Sequence, residues 1–176
     1  IIATSAIFAI LTLVISYFGS MRSMGWQDLE ATIVGMINLV TLLIPIIGLM
    51  LGYASIVGEK ERGSLELILS YPVKREEILA GKFIGLSAVM ALANFVGFGV
   101  AGIVIGINVK GVEWSDYFIF ILASILLGMV FIAIAMLMSC AFSKRSTAMG
   151  GAIFTWFLFE MIWNMVVGGL LIAKYG

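Results

Sequence analysis

Five apolar stretches, residues 2–18, 33–57, 83–107, 117–142 and 148–173, follow one another with little sequence between them. A helix needs about 20 mostly apolar residues to cross the hydrocarbon of a bilayer. Lipid offers an open backbone no hydrogen-bond partner, so such stretches must fold as helices. A soluble protein can bury one or two of them, but five within 176 residues leave almost no polar sequence to cover them. The pattern predicts an all-α, polytopic membrane protein with five visible transmembrane helices, organised as a single transmembrane domain over residues 1–176. The composition is 62% hydrophobic and 11% charged, where a soluble domain has about 25% charged residues. Residues 2–18 lack the basic leader and small-residue cleavage site of a signal peptide, and read as a span. The chain opens at Ile1 and stops at Gly176 just past an apolar run, so it is expected to be a fragment truncated at both ends.

One polar stretch interrupts this pattern. Residues 58–85 hold ten of the twenty charged residues: Glu59, Lys60, Glu61, Arg62, Glu66, Lys74, Arg75, Glu76, Glu77 and Lys82. Gly63 and Ser64 are placed to end one helical piece and start another, with Ser64 as its N-cap. Leu65, Ile68 and Leu69 then share one face of a short amphipathic helix. Pro72 disfavours helix at Tyr71 and suits the start of the next helix. A basic segment would read as docking to anionic lipid. Here acids match bases five to five, which suits a protein partner better. Loops 58–82 and 143–147 carry seven basic residues between them, against Arg22, Lys110 and Lys174 on the other side. The basic side is expected to be cytoplasmic in a multi-pass protein of the cell membrane.

Polar residues within the apolar stretches are the other candidates. Asn38 and Asn94 can hydrogen-bond between helices, and Pro45 removes a backbone donor and is expected to kink its helix. Gly48 with Gly52, and Gly102 with Gly106, have the small-xxx-small spacing that lets helices approach. Met136, Met138 and Cys140 suggest a soft-metal site, but Met138 falls off the face shared by the other two; packed sulfur side chains are the favoured reading, and no metal site is assigned. Glu160 is central in the last stretch, with Trp156 and Asn164 one turn away on either side. Three readings stand open for it: a pathway or proton-linked carboxylate, a hydrogen-bonded residue that fixes packing, or a residue in water on a segment that dips and returns.

The run Gly58-Glu59-Lys60-Glu61-Arg62-Gly63-Ser64-Leu65-Glu66-Leu67-Ile68-Leu69, then Tyr71-Pro72-Val73, Arg75 and Gly81-Lys82-Phe83, resembles the ABC-2 type transporter permeases. It looks most like the branch that serves nitrous oxide reductase maturation, which Asn38-Leu39-Val40 and residues 45–52 also fit. The resemblance covers residues 32–86. It implies a six-helix permease that dimerises, or pairs with another permease, on two cytoplasmic ATPase subunits. ATP and magnesium would then sit on those partners, with no cofactor in this chain. The family's coupling helix falls on residues 59–69. It places Glu59, Glu61, Arg62 and Pro72 at matching motif positions, with Gly63, Leu65, Leu69 and Arg75 alongside. Five spans instead of six is a departure, and a fragment of this kind is not expected to transport alone. The family implies outward transport, and the branch points by analogy to a sulfur- or copper-related cargo.

Several functional classes are disfavoured. The formal net charge is zero, which offers nothing to nucleic acid. No G-x-x-x-x-G-K-[ST] run is present to cradle phosphates, so the chain reads as a permease without its own ATPase site. There is no histidine, and no Asp lies in the spans, which leaves little for an intramembrane enzyme. The alternative to an ATP-driven permease is an ion-coupled secondary transporter with Glu160 as its proton site. No inverted repeat supports that alternative.

Overall fold

The computed structural model describes residues 29–65, 74–108 and 114–175. The expected first span, most of the first loop, Leu69 and Pro72 lie outside the described residues. The described residues form five helices: α1 Leu29–Gly52, α2 Val57–Glu61, α3 Arg75–Asn108, α4 Trp114–Ala141 and α5 Arg145–Tyr175. Three stretches are long and apolar enough to cross a membrane: Val40–Glu61, Arg75–Ile103 and Trp114–Ala141. They match the expected second, third and fourth spans in order, and the protein is an all-α, polytopic membrane protein.

Helix ends depart from the sequence expectation at two places. α1 stops at Gly52, not at 57, and a turn at Tyr53–Ile56 precedes α2. Pro45 stays inside α1. The polar lead-in to the third span joins it as one 34-residue helix. Its start is fixed by the Lys74 amide, which donates to Glu77 Oε2 at 3.1 Å. Glu77 is the third helical residue, so this is the return half of a capping box. α5 runs unbroken for 31 residues, about 46 Å at 1.5 Å per residue. Glu160 lies midway along it, which removes the dip-and-return reading.

Contacts divide the chain into two compact units, residues 1–44 with 84–130 and residues 45–83 with 131–176. In the first, aromatic rings fill space left by glycine. The Tyr117 hydroxyl donates to the Phe98 carbonyl, and its ring lies where a Cβ on Gly102 would come within 2.8 Å of Cε1. Trp114 lies equally close to Gly106, at 2.9 Å. These glycines seat rings, where the spacing alone suggested backbone-to-backbone approach. Phe98 and Phe120 meet edge to face at 5.1 Å, and Gly128 admits Met90 and Ile44.

In the second unit Gly52 does permit a close helix approach. A Cβ there would fall 2.6 Å from Ala135 Cβ and 3.0 Å from the Ile132 carbonyl oxygen. Ala148 and Ala152 of α5, and Ile132, Ala135 and Met136 of α4, are among this unit's buried residues. Across both units small or polar side chains such as Ala101, Ala135, Ser87, Ser124 and Ser139 are inside. Leu137, Ile84, Leu92 and Met165 point outward, each at least 65% exposed. That much outward apolar surface suits lipid and not water, and small residues let membrane helices pack without a hydrophobic drive between them.

Gly52→Ala therefore forces backbone apart and is expected to cost about 1–3 kcal/mol. Gly99→Ala, with nothing within 4 Å of the added carbon, should be neutral or stabilise by about 0.5–1 kcal/mol through helix propensity. Thermal denaturation of the two variants in detergent measures the contrast.

Candidate coupling site

The break between α1 and α2 sets up the site. Ser55 donates only a three-residue-back bond to Gly52, and the α2 amides begin again from Ala54 and Ile56 carbonyls. The amides of Ile56 and Val57 are left to find another acceptor, as at any helix start. Both donate to Ser139 Oγ of α4, at 3.0 and 2.9 Å. Ser139 is only 1% exposed. It does the work of an N-cap from a different helix, 83 residues away in sequence from Ile56.

The acids of α2 reach two further helices. Glu59 pairs with Lys82 in the second turn of α3, and Lys82 Nζ also donates to the Ser55 carbonyl at 2.6 Å. Glu59 and Lys82 side chains are 30% and 21% exposed. The second Glu59 oxygen is buried and has no hydrogen-bond partner among the described residues. Glu61 Oε1 accepts the Arg145 amide at 2.7 Å. Arg145 opens α5, where the helix dipole favours a carboxylate. Its guanidinium lies 5.6 Å from the Tyr53 ring centre and donates to the Tyr53 hydroxyl at 3.3 Å. A helix of five residues is thus held by α3, α4 and α5 at once.

α2 ends at Gly63, whose φ of +70° is the left-handed conformation that glycine adopts freely. The Gly63 amide donates to the Lys60 carbonyl at 3.2 Å, the inner bond of a Schellman ending. Ser64 turns its hydroxyl backward to the Glu59 carbonyl, at 3.3 Å. The amides that a forward cap would serve lie in residues 66–73, outside the described residues. Lys60, Arg62 and Gly63 are exposed, and Leu65 is half-buried.

The sequence-derived candidates thus separate. Glu59, Glu61, Arg62, Gly63 and Leu65 belong to one structural feature. Arg75 opens α3 and is exposed. Asn94 is buried, and its Nδ2 has no hydrogen-bond partner among the described residues. Glu160 is half-buried on α5 beside Phe157, Met161 and Met165. Asn38 and Asn164 lie in α1 and α5, with side chains outside the described ones. Of the sulfur residues, Met136 is buried and Cys140 exposed, while Met138 Sδ accepts from the Thr155 hydroxyl at 3.6 Å. Ser139, Lys82 and Arg145 were missed as partners of the loop. Their sequence signal is a polar or charged residue where an apolar span meets a charged loop.

The chain belongs to the ABC-2 family of transporter proteins, whose model matches residues 2–176. It is similar over its whole length to the "Probable ABC transporter permease protein NosY" of Stutzerimonas stutzeri, at 40% identity. The protein of the same name from Pseudomonas aeruginosa is 37% identical. The chain spans 66% of the length of each of these curated relatives.

Ser139→Ala removes the acceptor of two amides while changing little volume. A buried unsatisfied amide costs about 1–3 kcal/mol, so this variant should melt lower than wild type, with faster hydrogen exchange at Ile56 and Val57. Unchanged exchange there would count against the capping role.

Proposed function

We propose that the chain is the membrane-spanning part of an exporter driven by a separate cytoplasmic ATPase, with α2 and the residues after it as the element that receives the push. The observation that carries this is the three-way bracing of α2 by Lys82, Ser139 and Arg145. A short helix tied to three long helices cannot move without moving them. Its exposed Lys60, Arg62 and Gly63 are what remains for a partner to grip. Leu65 and Arg75 flank that surface, and Leu69 and Pro72 complete the sequence motif.

In this reading Glu59 and Glu61 are transmitting residues, because their carboxylates are engaged by Lys82 and by the Arg145 amide. Arg62 is the contacting residue. ATP and magnesium belong to the partner. Two permeases, identical or paired, would stand over two ATPases. The 58–82 and 143–147 loops are both cytoplasmic, a reading supported by the Glu61–Arg145 contact, which brings them together. The relatives' name supports the ATP-driven reading over an ion-coupled one, and the direction and cargo rest on family likeness alone.

The test uses the full-length protein purified gently from its host. A soluble ATPase should co-purify near stoichiometry. Arg62→Ala should weaken that association, whereas Glu59→Gln should keep the ATPase bound but lose transport. A permease that purifies alone, and still transports in both variants, would overturn the proposal.

A further inference from the structure

Beside the coupling site lies an apolar pocket of about 280 Å³, lined by Ile56, Leu65, Arg75, Ile78, Leu79 and Cys140. Arg75, Ile78 and Leu79 are in the first turns of α3, and Cys140 is in the last turn of α4. These two helices are membrane-crossing by length and composition, beginning at Arg75 and ending at Ala141 respectively. The pocket therefore sits at the ends of two membrane-crossing helices, where a span meets its polar flank.

Its chemistry is amphiphilic in one direction. Residues 75, 78 and 79 share one face of α3, since positions three and four apart are neighbours. Glu76 and Glu77 fall about 100° and 200° around the helix from Arg75, and neither lines the pocket. Glu77 is engaged with the Lys74 amide. The charged group presented to the pocket is thus a guanidinium, whose planar donors match a phosphate. Among the described lining residues, every other wall is apolar or a thiol.

We propose that this pocket seats an anionic phospholipid of the adjoining leaflet, its phosphate on Arg75 and an acyl chain between Ile56, Leu65, Ile78 and Leu79, next to Cys140. Charge complementarity selects the anionic headgroup, and position at the end of two spans selects a membrane lipid. The lipid would fill the space beside Ile56 and Leu65, which flank α2, so that movement of α2 depends on leaflet composition. The inference requires only that the chain lies in a membrane, and stands whether or not an ATPase is the partner.

Cys140 is exposed and lines the pocket, so it reports occupancy. The experiment places the full-length protein in nanodiscs of phosphatidylcholine alone or with phosphatidylglycerol. The rate of maleimide attachment at Cys140 is then followed by peptide mass spectrometry. Phosphatidylglycerol should slow it, and Arg75→Gln should lower the apparent lipid affinity about fivefold, as expected for one basic residue at a membrane surface. Lys74→Gln, whose side chain does not line the pocket, should keep the protection. Equal rates in both lipids would overturn the proposal. So would protection that persists undiminished in Arg75→Gln, because the pocket would then be filled by protein, either the chain's own loop or a partner.

Discussion

An amide without an acceptor is expensive in a membrane protein, because lipid cannot stand in for water. The break between α1 and α2 creates such amides at Ile56 and Val57, and the Ser139 hydroxyl receives both. Much else depends on this. With α2 started at that point, Glu59 falls within reach of Lys82, and Glu61 falls at the first amide of α5. The turn also lets Gly52 stay against Ala135, which fixes how closely α1 and α4 approach. One hydroxyl allows the chain to leave a span and turn without burying unpaired backbone.

Helices and the special loop were legible in the sequence because both depend on local composition. Apolar length locates spans, and a charged interruption among them is conspicuous. Helix ends were less legible. The break after Gly52 is served by Ser139 of α4, and the extension of α3 back to Arg75 comes with a Glu77 cap whose motif was not recognised. Partners across helices were not legible at all. Lys82 is 23 positions from Glu59 and Arg145 is 84 from Glu61, separations that no periodicity connects. Ser139 was overlooked between Met138 and Cys140, where the sulfur atoms drew the attention and the hydroxyl holds the structural role.

Glycine spacing illustrates the same limit from another side. Both small-xxx-small pairs look alike in sequence, yet Gly52 admits a neighbouring backbone, and Gly102 and Gly106 admit the rings of Tyr117 and Trp114. The glycine supplies an absence, and the neighbour that fills it is decided by the fold. The interior consequently mixes small residues with a few well-seated aromatics, and leaves large aliphatic side chains to face lipid.

The brevity of α2 has its own consequence. Five residues form barely more than one turn, and nucleating so short a helix is unfavourable in isolation. Its order is borrowed from Ser139, Lys82 and Arg145 together. Its order therefore depends on α3, α4 and α5 keeping the placement that brings Lys82, Ser139 and Arg145 to it.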